Sequence, residues 1–348
     1  MMMQKTYAAT GTLAAERTTG AFRTRQDARR YRLLLFLLIG AGVLCAMGLL
    51  LYNNPVPVTS DSFVPVVRRR IVALAAMLIA AVCQSLSTVA FQSVTGNRII
   101  TPSLLGFEAL YSTLHTSILF FFGTGALLRF QNTGAFLLQI VLMVGLCLLL
   151  YGWLLAGKTG DLQRMLLVGI IIGTGLRSLS SFMRRLLAPS EFDILQARLF
   201  GSVNHADPAY FPVAVPLVVL GVVLLFVMAK RLNVLSLGKG IATTLGAKHK
   251  QGVLRTLVLI SVLMSVSTAL VGPMTFYGFL VATLCYQATP TYDHRYLFPM
   301  AVAIGFVILT ASYFFMYHVF NAQGVVSVLI ELFGGLTFLV VILRKGTL

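Results

Sequence analysis

Acidic residues are scarce in this chain, which has ten Asp and Glu against 27 Lys and Arg in 348 residues, a formal net charge of +17. Charged residues of both signs make up only 11%. That is about half the share a water-soluble domain carries, so a soluble globule is excluded. Cysteine is equally sparse. Cys45, Cys83, Cys147 and Cys285 stand singly inside apolar runs with no C-x-x-C pair, and so read as small core residues rather than a disulfide framework or zinc ligands. The five histidines, His115, His205, His249, His294 and His318, include no pair at i, i+3 or i, i+4, so no helix face offers a ready-made metal site. The excess of Lys and Arg could suggest nucleic acid. These residues lie in the gaps between apolar runs instead of on one face with interleaved aromatics, which excludes that partner.

What the chain has in abundance is long apolar runs, with 58% hydrophobic residues and a mean hydropathy of +0.89. It is expected to be an all-α polytopic membrane protein. Residues 1–32 form a basic tail with seven Lys or Arg, and residues 33–348 form the transmembrane domain. The first spanning run, Leu33 to Leu51, is too long and begins too late for a cleaved signal peptide. Further runs cover Ile71–Phe91, Ser103–Leu128, Thr133–Ala156, Met165–Leu187 and Ala209–Ala229. A mixed segment, Ala188 to Pro208, suggests an interfacial helix or loop. Thr256 to Pro290 is an uncharged run of 35 residues, more than one span requires, and Gly272-Pro273 divides it into a seventh span and a shorter eighth. Tyr296–Tyr317 and Val325–Leu343 complete about ten spans, which puts both termini on one side. With the N-terminus inside, nineteen basic residues fall in inside segments and eight outside, the expected bias. Arg68, Arg69 and Arg70 are the most conspicuous of the eight. Lipid is therefore the chain's first partner, and the expected location is the cell's inner membrane with both termini cytoplasmic.

One stretch fits a phosphate-binding loop by pattern. Gly152 to Thr159 reads G-x-x-x-x-G-K-T, but it follows a membrane span, not a strand, and no acidic residue is placed to hold magnesium, so the match is a coincidence of spelling. The chain is not expected to be an enzyme or to hold a metal or cofactor. Glu108 and Glu331 lie within or near apolar runs, where a charge costs about 2.5–3.5 kcal/mol on insertion scales. Such a residue faces the bundle or a water-filled path, or sits near a helix end and is partly solvated.

Residues 231–250, RLNVLSLGKGIATTLGAKHK, are the main polar interruption among the later spans. Leu237 to Gly246 can form a short amphipathic helix stopped by Gly246. Such a helix could rest on the lipid surface or serve as a handle for a nucleotide-driven partner.

The chain from about Arg68 to Lys345 resembles the iron-chelate permeases of ATP-binding-cassette importers, the FecCD-type family that includes the vitamin B12 permease. The resemblance rests on an ordered set of motifs. Leu235, Ser236, Leu237, Gly238, Ala242, Leu245 and Gly246 match L-S-L-G-x-x-x-A-x-x-L-G. Gly272, Pro273, Phe276 and Gly278 match A-G-P-I-x-F-V-G-L, and Asp293, His294, Arg295, Leu297 and Pro299 match D-H-R-x-L-x-P. Upstream, Gln92, Thr95, Asn97, Pro102, Leu105 and Gly106 match a Q-x-x-T-x-N-x-L-x-x-P-x-L-L-G pattern, and Phe200-Gly201-Ser202 resembles W-x-x-G-S.

The resemblance implies ten helices in a subunit that works with two ATPase subunits, a second permease subunit and an external siderophore-binding protein, by alternating access. It implies that Leu237 to Gly246 couples to the ATPase and that outward arginines among Arg68, Arg69 and Arg70 meet the binding protein. Arg98 replaces a usual proline, Phe107-Glu108 replace small residues, and Gly334-Gly335-Leu336 replace G-A-P. The stretches LLGFEALY and QARLFGSVNH look most like second permeases of ferric-siderophore systems, which makes a heterodimer the expectation. Haem and vitamin B12 remain alternative cargoes, and an ion-coupled secondary transporter is the alternative mechanism.

Overall fold

The computed structural model describes residues 20–52, 61, 63–130, 132–156, 162–320 and 325–344. The first nineteen residues of the basic tail, Gly157 to Thr159 of the phosphate-loop look-alike and Lys345 lie outside the described residues. Twelve α-helices occur among the described residues. They are α1 (Arg25–Leu51), α2 (Phe63–Thr95), α3 (Phe107–Arg129), α4 (Thr133–Ala156), α5 (Leu162–Arg185), α6 (Pro189–Leu199), α7 (Phe211–Leu235), α8 (Lys239–Thr244), α9 (His249–Val271), α10 (Tyr277–Ala288), α11 (His294–His318) and α12 (Val326–Arg344). Ten of these correspond to the ten apolar runs. The mixed segment forms α6 and the polar interruption forms α8.

Local chemistry sets the ends. Thr24 and Asp27 form a reciprocal capping box at the start of α1, each side chain bonding the other's backbone amide at 3.1–3.2 Å. Pro102 opens a short 3-10 turn, Pro102–Leu105, and Gly106 closes it at φ 98°, a left-handed conformation that favours glycine. Gly272, at φ 83°, ends α9. Five residues later α10 begins, only 12 residues long. At 1.5 Å per residue it reaches about 18 Å, roughly half of a hydrocarbon core, so the eighth apolar segment is a half-span.

Helix α9 is the centre of the bundle, packed by α2, α4 and α7. In its most apolar window 67% of residues are buried, against 11% for α1, which lies at the periphery against α11. The central helices touch through small and hydroxylated residues. Ser85, Ser87 and Thr88 of α2 and Ser265, Ser267 and Thr268 of α9 are all buried, and Gln84 Nε2 donates to Ser267 Oγ at 3.3 Å. Membrane helices have no hydrophobic drive toward each other, so close packing of small residues is what holds them. Gly278 of α10 shows how tight the packing is, since a Cβ there would sit 2.2 Å from Thr88 Oγ1. Cys83, Cys147 and Cys285 are buried, as small core residues should be, and Cys45 is half-buried.

Candidate functional site

The end of the bundle that carries α8 is built on a rigid base. Leu235, the last residue of α7, is buried, and a Cβ on Gly252 of α9 would lie 2.9 Å from its Cδ1, so the two helices meet there without slack. Gly238 turns the chain at φ 87°, and α8 runs for six residues before Gly246 reverses it at φ 78°. The Gly246 amide donates to the Thr243 carbonyl at 2.9 Å and the Ala247 amide to the Ala242 carbonyl at 3.0 Å, the paired bonds of a Schellman stop. Ala242 is fully buried toward the bundle. On the other face Leu237, Ile241 and Leu245, four residues apart, are 51%, 56% and 62% exposed. Together they form an apolar ridge in a loop that also exposes Lys239, Lys248 and Lys250. Ile241 falls at an unspecified position of the motif, and only its spacing from Leu237 and Leu245 marks it as part of the ridge.

Behind α8 lies a polar cluster. Asp293 caps α11 and accepts from Arg295 Nη2 at 2.6 Å and from Asn233 Nδ2 at 3.0 Å. Burial alone would raise the Asp293 pKa, but the hydrogen bonds from Arg295 and Asn233 and the Arg295 charge outweigh it and hold the carboxyl at about 2. Gln92 Nε2 donates to the Arg98 carbonyl at 2.7 Å, and Asn97 Oδ1 accepts from the Ile99 amide at 2.8 Å. These bonds shape the turn between α2 and Pro102. The Arg98 guanidinium sits over the rings of Tyr286 and Tyr292, 4.7 and 5.4 Å from their centroids. The residue that departs from the usual proline thus clamps the end of α10.

Deep in the bundle, Glu108 occupies the first turn of α3 and is 8% exposed. Its Oε2 accepts from Thr275 Oγ1 at 2.6 Å, and Ser103 is also within reach. Glu331 of α12, half-buried, faces the Thr275 backbone, and Arg177 of α5 is near enough to Glu108 to act on its charge. The structure therefore brings Glu108 and Glu331 together at the break between α9 and α10, with Glu108 facing into the bundle rather than lying at a solvated end. Gly272-Pro273 form that break. A Cβ on Gly201 would lie 2.3 Å from the Pro273 carbonyl oxygen, and one on Gly272 3.0 Å from Gly201 Cα, so the two motifs meet backbone to backbone. Gly106 makes a similar approach to Gly173 of α5.

At the end opposite α8, the three arginines divide. Arg68 and Arg69 are exposed. Arg70 turns inward, and its Nη1 donates to the carbonyls of Leu49, Leu50 and Tyr52 at 3.0, 2.9 and 3.3 Å. It satisfies the orphan carbonyls at the end of α1.

The fold and these sites define a polytopic α-helical membrane protein. Residues 33–344 match the FecCD transport family, and the chain belongs to that family. It is 67% identical over 332 residues to the petrobactin import system permease protein FatC of Bacillus anthracis, covering 95% of this chain and 94% of the relative. It is 34% identical over 317 residues to the petrobactin import system permease protein YclO of Bacillus subtilis strain 168, covering 91% and 99%. Among solved structures, a metal-chelate type ABC transporter in an inward-facing conformation superimposes with a TM-score of 0.75 at 20% identity, covering 90% of this chain and 99% of the other.

Proposed function

We propose that the chain is one permease subunit of an ATP-driven importer that carries a ferric siderophore of the petrobactin kind across the inner membrane. Two ATPase subunits, a second and different permease subunit and an external siderophore-binding protein complete the machine. The observation that carries the reading is the apolar ridge of Leu237, Ile241 and Leu245 on a short helix with a buried glycine-flanked base. Three half-exposed aliphatic side chains facing water, set among lysines, gain about 1 kcal/mol each when a partner covers them. In this reading α8 docks in a groove of an ATPase, and ATP-driven movement of that subunit passes through α8 into α7 and α9 and tilts the spans around the path. Leu237, Gly238, Ala242, Leu245 and Gly246 form the docking element. Gln92, Asn97, Pro102, Gly106, Glu108, Gly272, Pro273 and Glu331 shape the turns and the helix break that the movement uses. Arg68 and Arg69 meet acidic residues of the binding protein at the outer end, with Arg70 anchoring the helix that presents them. Both termini and α8 are cytosolic.

The test is Leu245→Glu, which puts a charge on the most exposed member of the ridge. Such a variant is expected to insert normally, to lose co-purification of the ATPase and to lower uptake of radiolabelled ferric petrobactin at least about ten-fold, the cost of 1.4 kcal/mol or more at a desolvated contact. Normal uptake by L245E would sink the docking assignment.

A further inference from the structure

Helix α8 packs chiefly against α7 and α9, which in turn pack on α2 and α11, so its movement must pass through specific links between these helices. The geometry points to His294 as the positioning residue that supplies one, a proposal that rests on the docking reading above. His294, at the first position of α11, is buried and bridges two other helices. Its Nδ1 lies 2.5 Å from Asn233 Oδ1 in the last turns of α7, and its Nε2 lies 2.7 Å from Ser93 Oγ at the end of α2. Its backbone amide also donates to Asn233 Oδ1 at 3.0 Å. Asn233 stands five residues before Gly238, where the chain turns into α8.

Hydrogen-bond accounting makes this a specific link and not a chance contact. The Asp293 carboxylate can only accept, so the Asn233 atom that faces it is the donating Nδ2, and Oδ1 is left to accept twice from His294. Nδ1 therefore carries the proton. Ser93 has one hydroxyl proton and two acceptors within reach, Nε2 of His294 and the Val89 carbonyl at 2.8 Å. When Ser93 donates to His294, the neutral ring joins α7 to α2 through two directional bonds. Tyr286 of α10 is also within hydrogen-bonding reach of Ser93. The end of α7, the start of α11 and the end of α2 thus meet at one imidazole, and the end of the half-span joins them through Ser93. In the family motif the Asp-His-Arg triplet stands out only as a string, and the partners Asn233 and Ser93 are 61 and 201 residues away.

A positioning role differs from a merely structural one in what it spoils. His294→Asn keeps an amide where Nδ1 sits and cuts the link to Ser93, and Ser93→Ala cuts the same link from the other side with a smaller change. The complex of permeases, ATPase and binding protein is reconstituted in vesicles, and ferric petrobactin transported and ATP hydrolysed are counted in the same vesicles. Both variants are expected to retain ATPase co-purification and ATP hydrolysis near the wild-type level. Ferric petrobactin moved per ATP should fall about ten-fold, inside the range typical of couplings between sites. The double variant should be no worse than the poorer single one, because both cut the same link. An unchanged ratio in S93A overturns the proposal. A parallel fall in hydrolysis and uptake at constant ratio also overturns it, since that is the mark of lost structure alone. If H294N does not insert, S93A still decides. L245E in the same preparation separates the two readings, because ATPase retained by L245E defeats the docking assignment, whereas the ratio in S93A bears on the relay.

Discussion

At the scale of single residues, what matters most is which atoms have no room and which have no alternative partner. Gly201 is the clearest case of the first. A methyl group there would collide with the Pro273 carbonyl, which is backbone and cannot rotate away. Gly201→Ala is therefore expected to destabilise the protein by about 1–3 kcal/mol, the usual cost of overpacking, and to lower its melting temperature in detergent. Gly240→Ala, where a Cβ meets nothing within 4 Å, serves as the control that should melt near wild type. Asp293 is a case of the second kind. A carboxyl held at about 2 against an ordinary 3.8 contributes stability that is full above the ordinary value and lost as pH falls through about 2. The difference in melting temperature between wild type and Asp293→Asn should accordingly be constant above about pH 4 and shrink toward zero as pH falls to about 2. A difference that persists unchanged at the acid end would show that the carboxylate charge is not what the site uses. Glu108 and Glu331 were conspicuous in the sequence because charge in an apolar run is costly. Their meeting at Thr275 was not legible there, since 167 residues separate Glu108 from Thr275.

At the scale of elements, the helix ends were readable wherever the backbone carries a device that a one-dimensional string also records. Pro102, Gly246 and Gly272-Pro273 each stop or start a helix where their side-chain chemistry says they should. Helix α6 was readable only as helix or loop, because PSEFDILQARL has the composition of either. That the segment after Gly272-Pro273 is the shorter one was readable, but not that α10 has only 12 residues. An apolar run reports that a segment avoids water, not how far it travels before it turns. The arginine triplet shows the same limit, since three adjacent side chains on one helix point in different directions. Arg68 and Arg69 are exposed, while Arg70 donates to the end of α1. The double reversal Arg68→Glu and Arg69→Glu is expected to weaken stimulation of ATP hydrolysis by the binding protein about ten-fold or more and to leave membrane insertion intact, because opposed charges slow encounter and misfit the contact. Arg70→Glu should instead reduce the amount of folded protein, measured by detergent melting. It leaves the last carbonyls of α1 without a donor, a loss of about 1–3 kcal/mol.

For the whole molecule, the architecture was largely legible, since the ten apolar runs give the number and order of the main helices, although one of them is a half-span. Which helices become central was not, because α1 and α9 are both spanning-length apolar helices and differ in the small polar residues that only α9 uses for packing. The orientation is testable at this scale. A cysteine placed at Lys239 in a cysteine-free background should react with a membrane-impermeant reagent only in inverted vesicles, and one at Arg68 only in right-side-out vesicles. The reverse pattern would invert the topology and remove both docking assignments.

The peripheral position of α1 has a consequence for how the protein is made. Its Tyr31 hydroxyl donates to the Tyr296 carbonyl across 265 residues of chain, and the rings of Phe22, Tyr31 and Tyr296 meet tilted or edge to face at the same spot. At synthesis rates of 5–20 residues per second, α1 enters the bilayer roughly 13–50 s before its main neighbour exists. For that interval it must persist without α11, held by lipid and by the Arg70 bonds from α2 to its last carbonyls. A 27-residue apolar segment with arginines at its entry is suited to that wait, and the capping box secures its first turn until α11 arrives.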